Sequence, residues 1–340
     1  MSDESNIYMI VLFFGMGQLH FIATSQTKLP TETLKKFIKF KVTKILPLFN
    51  YYDTVRSQPE IFKQLACREL LFVHYKCPLE VNRQDLWSQH NYIQYILSGK
   101  KAFHTPGRSW LMKAGDAFYV KKGATIVEKF FDETLCIMTF FIPDSYLQTF
   151  FRENISLRAA SSLSKPKNEL LVPLQVNNIM SAYFDSLIPY FFSETKPSED
   201  LLELKFRELL LNILDNPENM ELKNYMIQLS SPQYDPFQQV METNCLYNLS
   251  LQDYARMLNL SLSSFRRHFM SVYKTRPGHW LQEQKLNHAY KLLVSTDKSI
   301  TDISFESGFE NSTHLSHLFK KRFGLSPLKY RKENEVSHSS

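Results

Sequence analysis

Two short stretches of the sequence carry side chains that can form hydrogen bonds with the edges of nucleic-acid bases. Both stretches have polar residues at the same spacing, three and four positions apart, which places them on one face of a helix. Arginine can donate two parallel hydrogen bonds to guanine, whereas hydroxyl and imidazole groups can bond either bases or phosphates. The alternative is a face that is merely solvated. We predict base contacts from Ser263, Arg266, Arg267, Thr313, Ser316 and His317.

A second group of cations follows the second stretch and is suited to phosphate contacts. These cations are Lys320, Lys321, Arg322 and Lys329. The whole chain has a net charge of +6, and residues 240–340 hold 14 Lys and Arg against 9 Asp and Glu. Because nearly all the excess positive charge lies there, we expect this part of the chain to bind a polyanion.

Helices are needed to present these side chains, and both stretches have the apolar spacing of an amphipathic helix. Phe265, Phe269 and Tyr273 recur every four residues and should face a core. Leu315, Phe319 and Phe323 recur in the same way. The inward positions leave the polar residues, together with Met270 and Lys320, on the outer face.

Each of these helices is preceded by a shorter one, and the pair is repeated once. Ser250 is expected to cap a helix over Leu251–Leu258, and Ser261 a second over Leu262–Tyr273. In the repeat, Ser299 or Ile300 begins a helix to Ser307, Gly308 makes the turn, and Asn311 caps a helix to Phe323. Helix, short turn and helix is the helix-turn-helix arrangement. The sequence therefore predicts two such units.

The repeat has a period near 50 residues. Phe269, Tyr273, Pro277 and Trp280 are matched fifty positions later by Phe319, Phe323, Pro327 and Tyr330. Between the units, residues 277–294 predict one continuous helix, which at ~1.5 Å per residue would be ~27 Å long. That length is close to the ~34 Å between successive major grooves on one face of DNA. Two recognition helices joined by such a helix could lie on one side of a duplex.

The N-terminal half has a different pattern, with short strand-like runs separated by turn residues. The pattern extends from about Phe37 to Pro143, and examples of the runs are Leu70–Tyr75, Asn91–Leu97, Ala117–Val120, Thr125–Phe130 and Leu135–Ile142. This spacing predicts an antiparallel barrel or sandwich. The period then becomes helical over Leu174–Phe192 and Leu201–Leu214, and a break at Gln228–Pro236 marks the domain boundary. The fold class is thus α+β, with an all-α domain after an antiparallel β-domain.

Several kinds of enzyme are excluded by motifs that the sequence lacks. Nine glycines in 340 residues provide no G-x-G-x-x-G or Walker loop, and H-E-x-x-H and G-x-S-x-G are missing too. The four cysteines, Cys67, Cys77, Cys136 and Cys245, include no C-x-x-C pair and are expected to be reduced thiols. The apolar run 7–17 is too short for a membrane span and lacks a basic flank, so we interpret it as neither span nor signal.

The residues from about Tyr247 to Lys332 resemble the DNA-binding domain of the AraC/XylS family of bacterial transcription regulators. The most specific match is the run Ile303-Ser304-Phe305-Glu306-Ser307-Gly308-Phe309, followed by the run from Phe319 to Pro327 and by Tyr330-Arg331. The family pattern is I-A-x-x-x-G-F, F-[KR]-x-x-x-G-x-[ST]-P and [FY]-R. There are departures: Ser304 replaces an alanine, Leu315 an aromatic residue, His317 an arginine and Lys274 a glycine.

The resemblance implies an arrangement of domains and partners. It implies an extension over 1–36, a cupin-like regulatory and dimerisation domain over 37–228, and an AraC-type DNA-binding domain over 237–334 with seven helices. The N-terminal part is similar to the cupin-like sensory domains of the family, above all to the subgroup with type III secretion activators. Implied partners are double-stranded DNA, RNA polymerase, a second copy of the chain, and a small-molecule or protein effector. The location implied is the cytoplasm, without membrane contact.

Two questions remain open at the level of sequence. The helical segments 174–192 and 201–214 either form the dimer contact or simply pack on the barrel. The barrel is either regulatory or a metalloenzyme, because catalytic cupins bind metal through clustered histidines. His90 and His104 are isolated, so we expect no metal site, no catalytic residue and no cofactor. Seven aromatic residues either line a pocket or form the core: Trp87, Tyr92, Tyr95, Phe103, Trp110, Phe118 and Tyr119.

Overall fold

The strand-like runs of the N-terminal half form two facing sheets in the computed structural model, which describes residues 48–105, 108–154, 169–230 and 234–338. The strands are β1 (Phe49–Asn50), β2 (Lys63–Cys67), β3 (Leu70–Lys76), β4 (Arg83–Ser88), β5 (Asn91–Ser98), β6 (Lys100–Thr105), β7 (Arg108–Lys113), β8 (Ala117–Val120), β9 (Gly123–Lys129), β10 (Cys136–Ile142) and β11 (Leu171–Leu174). One sheet has the strand order β1-β4-β9-β6-β7 and the other the order β11-β8-β5-β10-β3-β2. Every pairing of these strands is antiparallel except the two-residue pairing of β1 with β4.

Helices account for most of the remaining described residues. Five belong to the N-terminal half and seven follow residue 236. They are α1 (Tyr51–Ser57), α2 (Asp144–Glu153), α3 (Asn178–Phe192), α4 (Glu199–Asp215), α5 (Met220–Leu229), α6 (Phe237–Asn244), α7 (Leu251–Met257), α8 (Leu262–Tyr273), α9 (Pro277–Ser295), α10 (Ile300–Glu306), α11 (Ser312–Phe323) and α12 (Pro327–His338).

Two apolar layers hold the β-domain together. Between the sheets, Phe103, Trp110 and Val127 from one sheet meet Ile96 and Phe141 from the other. The outer face of the six-stranded sheet is covered by helices α2 to α5, which together with that sheet form a second buried cluster. A two-sheet domain followed by seven helices confirms the α+β fold class.

The five named runs are all present as strands. Ala117–Val120 has the predicted ends, and the other four have an end moved by one or two residues. Gly123–Lys129 replaces the predicted Thr125–Phe130, and helix α3 begins at Asn178 rather than Leu174. The latter boundary was wrong because residues 171–174 pair with β8 as a strand and the Asn177 side chain accepts a hydrogen bond from the Met180 amide. The apolar run 7–17 and the extension 1–36 lie outside the described residues.

The segments considered for dimerisation pack against the β-domain. Phe184 of α3 stacks on Tyr95 with ring centroids 4.0 Å apart, and Phe206 of α4 packs on Phe72 and Phe140. Their outer positions nevertheless include apolar side chains that are exposed, among them Ile179, Leu204 and Leu211. Packing on the sheet therefore occupies only the inner faces of these two helices.

Candidate nucleic-acid interface

The first helix-turn-helix unit consists of α7 and α8, and its helix starts are fixed by serine caps. The Ser250 side chain accepts a hydrogen bond from the Asp253 amide, and the Asp253 carboxylate accepts one from the Ser250 amide. This reciprocal pair is a capping box. Ser261 caps α8 through the Ser264 amide at 3.2 Å. Both predicted caps are confirmed.

The second unit consists of α10 and α11 and has the same construction. Ser299 caps α10 through the Asp302 amide at 3.1 Å, and Asn311 caps α11 through the His314 amide at 2.8 Å. Gly308 makes the turn between them with a φ of +74°. A Cβ atom at this glycine would lie 1.9 Å from the carbonyl oxygen of Leu246, so no larger residue fits without backbone movement.

The inner faces of both second helices are buried as their apolar spacing predicts. Phe265 and Phe269 of α8 are fully buried, and so are Leu315 and Phe319 of α11. The last residues of these helices, Tyr273 and Phe323, are half-buried. Each packs against the cluster that contains the two buried residues of its own helix. Burial of one face fixes which residues the opposite face presents.

The outer face of α8 presents the predicted base-contacting residues of the first unit. The Ser263, Arg266 and Arg267 side chains are all exposed. The Ser263 hydroxyl lies 3.0 Å from the Ser261 hydroxyl, which holds it near the start of the helix. Among the described side chains, no carboxylate lies within ion-pair distance of either arginine. Both guanidinium groups are therefore available to an external acceptor.

The outer face of α11 presents the corresponding residues of the second unit. Thr313 and His317 are exposed, and Ser316 is half-buried. The structure thus places five of the six predicted residues on exposed surface and the sixth at its margin. Their contacts with bases stay a prediction.

The four predicted phosphate-contacting residues are exposed at the end of α11 and on α12. One of them already has a partner within the domain. Arg322 donates through Nε to Glu283 of α9 at 3.0 Å. Lys320 and Lys321 lie on α11 and Lys329 on α12, and the described side chains include no carboxylate within ion-pair distance of these three. A phosphate contact by Arg322 would require it to share or leave Glu283.

Helix α9 joins the two units and is 19 residues long, which corresponds to about 28 Å. Its residues Leu286, Ala289 and Leu293 are buried against α10 and α11. Near its middle, the Lys285 ammonium donates to the Asn248 Oδ1 and to the Gly308 carbonyl oxygen, both at 2.8 Å. Burial lowers the pKa of Lys285. This lysine connects the loop before α7 with the turn of the second unit, and the sequence pattern gave no signal of it.

The first unit also packs on the five-stranded sheet. Trp87 of β4 and Ala124 of β9 belong to the same buried cluster as Phe237, Tyr254 and Phe265. The Ala124 amide donates to Asn244 Oδ1 at 2.7 Å, and Asn244 is fully buried. The second unit has a core of its own, formed by residues 286–330. Within the described ranges, the first unit shares its core with the β-domain and the second unit does not.

A charged pair borders this contact. Arg256 of α7 donates to the Asp53 carboxylate at 2.6 Å, and its guanidinium carbon lies 5.4 Å from the centre of the Trp87 ring. Gln89 also donates to Asp53, at 3.1 Å. Both charged side chains are partly exposed, so this pair contributes little to stability and more to orientation.

His90 and His104, the histidines considered for a metal site, have other contacts in the structure. His90 packs edge-on against the Tyr52 ring with centroids 4.5 Å apart, and desolvation lowers its pKa to about 4. His104 bonds Ser109 and Glu128 through its two ring nitrogens, at 2.7 and 2.8 Å. In the described residues, no group of three His, Cys, Asp or Glu side chains is arranged to hold a metal ion. The seven aromatic residues considered for a pocket are all buried. Six pack in the two clusters of the β-domain, and Trp87 packs in the cluster shared with the first unit.

None of the helices in the described ranges is long and apolar enough to cross a membrane. The four cysteines are all free thiols. Burial raises the pKa of Cys67, Cys136 and Cys245, so these thiols are poorly suited to nucleophilic chemistry.

Two family models match the chain. Residues 91–225 match the model described as the ExsA N-terminal regulatory domain, and residues 254–333 match the model described as a helix-turn-helix domain. The first covers most of the two-sheet domain and the helices on it. The second begins within α7 and ends within α12, so it covers both helix-turn-helix units.

Relatives of known name are similar along most of the chain. The thermoregulatory protein LcrF of Yersinia pestis is 25% identical over 239 residues, which cover 70% of this chain and 88% of LcrF. The HTH-type transcriptional regulator ExsA of Pseudomonas aeruginosa is 24% identical over 274 residues, covering 79% of this chain and 95% of ExsA. A crystal structure of ToxT from Vibrio cholerae covers 77% of this chain and 97% of ToxT, at 14% identity and a TM-score of 0.36. The first family model and the relatives LcrF and ExsA carry names of regulatory proteins, which supports a regulator rather than an enzyme.

Proposed function

Because this chain belongs to the AraC/XylS family of transcription regulators, we propose that it is a sequence-specific activator whose two helix-turn-helix units read adjacent segments of the DNA major groove. One observation carries the proposal. Helices α8 and α11 are capped alike, bury the same apolar positions and expose polar or basic residues at equivalent positions of their outer faces. Most exposed charged faces are only solvated, whereas here a similar face occurs on both units, which helix α9 joins.

The roles of the individual residues follow from their chemistry. Arg266 and Arg267 would bond guanine edges, and Ser263, Thr313, Ser316 and His317 would bond bases or nearby phosphates. Lys320, Lys321, Arg322 and Lys329 would contact phosphates, which position the protein without reading sequence. The length of α9, together with the Lys285 bridge, supports a fixed spacing between the two recognition helices.

The β-domain supplies regulation and assembly in this proposal. The domain limits are 37–228 for the cupin-like regulatory and dimerisation domain and 237–334 for the DNA-binding domain. The exposed apolar positions of α3 and α4 support a contact with a second copy of the chain. An effector, either a small molecule or a protein, RNA polymerase and a cytoplasmic location complete the proposal. All of them rest on the family.

The proposal is tested by selecting bound sequences from a random pool of DNA duplexes with the full-length protein. We expect a site with two conserved blocks about one helical turn apart. The repetition of this site within one duplex would report the dimer. A pool that shows no enrichment, or a single block, would contradict reading by two units.

Replacing Arg266 with alanine tests base readout within that site. The variant should lose about 1–3 kcal/mol of binding free energy and should accept other base pairs at one position. Lys291→Ala on α9 removes one exposed positive charge elsewhere and should leave the selected sequence unchanged. If Arg266→Ala selects the same sequence with unchanged affinity, Arg266 does not read a base.

A further inference from the structure

Met270 is an apolar side chain on the otherwise polar outer face of α8. It is 45% exposed, and it belongs to neither buried cluster of the DNA-binding domain. It follows Arg266 by four positions and Arg267 by three, so the three side chains share one surface. Its inward neighbour Phe269 is fully buried, so Met270 is not needed to complete the core.

An exposed apolar group on a DNA-facing surface has one apolar counterpart in the major groove, the C5 methyl group of thymine. Methionine is well suited to this contact because its thioether is polarisable and its unbranched chain adapts to an irregular surface. Binding of DNA phosphates does not require an apolar side chain, since a polar residue at position 270 would serve it equally well. The thioether of Met270 therefore indicates a contact with a base rather than with the DNA backbone.

The position of the thymine follows from helix geometry. Three or four residues correspond to ~4.5–6 Å along the helix axis. Since base pairs are stacked ~3.4 Å apart, Met270 would reach a base pair one or two steps from the guanine that the arginines contact. The order along α8 places Arg266 and Arg267 nearer to its start, so the thymine lies on the side of the guanine that faces the end of α8.

The second unit differs at this point. Fifty positions after Met270, its counterpart on α11 is Lys320, which is exposed and charged. A lysine cannot make the apolar contact, so only one of the two DNA segments should contain a methyl-dependent position. This difference gives the pair of units a direction on the DNA.

We propose that Met270 is a specificity-determining residue that packs against a thymine methyl group in the DNA segment read by the first unit. The inference rests on the proposed function, since it requires α8 to lie in the major groove. The other occupant of the same surface would be an apolar patch of a protein partner.

The test replaces thymines of the selected duplex, one at a time, with deoxyuridine. Uracil keeps every hydrogen-bonding group of thymine and lacks only the methyl group. Loss of one buried methyl contact should weaken binding of the wild-type protein roughly four-fold at a single position. In Met270→Ala, the thymine and uracil duplexes should bind equally. Met270→Leu, which stays apolar, should keep most of the difference, and Lys320→Ala should keep all of it.

The outcomes separate the inference from the proposed function. If the wild-type protein binds the selected duplex no better than a scrambled one, the proposed function fails and the inference with it. If binding is specific but no thymine of the first segment is methyl-dependent, or the dependence persists in Met270→Ala, only the inference is overturned. A Met270→Ala variant with unchanged DNA binding and reduced transcription from a promoter bearing the site would assign Met270 to a protein contact and overturn the inference too.

Discussion

Lys274 ends the first recognition helix in a conformation that lysine rarely adopts. Its φ is +54°, in the left-handed region, and its amide donates to the Met270 carbonyl oxygen. The equivalent residue of the second unit, fifty positions later, is Gly324 with a φ of +83°. The left-handed conformation costs an L-residue about 1–2 kcal/mol, whereas glycine adopts it freely. The two units thus end their recognition helices in the same way with unequal strain.

Replacing Lys274 with glycine should therefore stabilise the protein. The relief of strain is partly offset by the greater freedom of glycine in the unfolded chain, which leaves a gain of about 0.5–1 kcal/mol. The midpoint of urea unfolding would measure it. Lys274→Ala removes the same charge without the conformational freedom and should stay close to wild type. A midpoint that does not rise in the glycine variant would mean that Lys274 is unstrained.

The turn between the two helices of each unit contains one residue in the left-handed conformation. In the first unit the turn residue is Asn259 with a φ of +54°, and in the second it is Gly308 with a φ of +74°. Asparagine is tolerated in the left-handed region. Glycine is required at the second turn for a different reason, because the Leu246 carbonyl oxygen occupies the space of a Cβ atom.

Gly308→Ala should separate the second unit from the loop that contains Leu246. The added methyl group would lie 1.9 Å from a backbone oxygen that no side-chain rotation can move. We expect the variant to lose at least about 2 kcal/mol of unfolding free energy and, with the second recognition helix displaced, most of its sequence-specific DNA binding.

Gly278→Ala is the matched control for this substitution. Gly278 lies in the first turn of α9, and a Cβ atom there would meet nothing within 4 Å. Alanine is the better helix former by about 1 kcal/mol, so this variant should be neutral or slightly more stable. Equal thermal midpoints for the two variants would contradict the steric argument.

Elements whose ends are set by local contacts could be predicted from the sequence. Ser250, Ser261, Ser299 and Asn311 all cap the helices assigned to them, because a cap involves a side chain and an amide only three residues away. Besides the short strands β1 and β11, strands β2, β4, β6 and β7 are not among the runs named from the sequence. These four strands all begin with a charged residue, and β6 buries Lys101, whose ammonium lies 4.0 Å from the centre of the Phe103 ring. Such strands are defined by their partners in the sheet, which the sequence does not show.

At the scale of the whole molecule, the sequence places a domain boundary at Gln228–Pro236. The residues on the outer faces of the recognition helices could be predicted from the sequence, because the apolar spacing within each unit determines them. The contact between the first unit and the β-domain could not be predicted. Asn244 and Ala124 are 120 residues apart in the chain, and neither has a local pattern that pairs it with the other. A buried amide between two domains is visible only in three dimensions.

Asn244 forms hydrogen bonds with both the β-domain and the first unit. Its Oδ1 accepts from the Ala124 amide at 2.7 Å, its Nδ2 donates to the Val240 carbonyl oxygen at 2.8 Å, and its backbone carbonyl accepts from the Tyr254 hydroxyl at 2.8 Å. Gly123 leaves the room for this side chain, because a Cβ atom there would lie 2.6 Å from Asn244 Oδ1. These hydrogen bonds and the close packing at Gly123 indicate that the β-domain and the first unit unfold together.

Asn244→Ala should therefore lower the free energy of unfolding by about 1–3 kcal/mol, since it leaves the buried Ala124 amide without an acceptor. Denaturant unfolding followed by tryptophan fluorescence is a suitable measurement because Trp87 lies in the shared core. Asn287→Ala on the exposed side of α9 is the control and should not destabilise the protein. If the domains were independent, Asn244→Ala would change only the transition of the helical domain and leave that of the β-domain in place. If they are coupled as the contacts indicate, both transitions move to lower denaturant together.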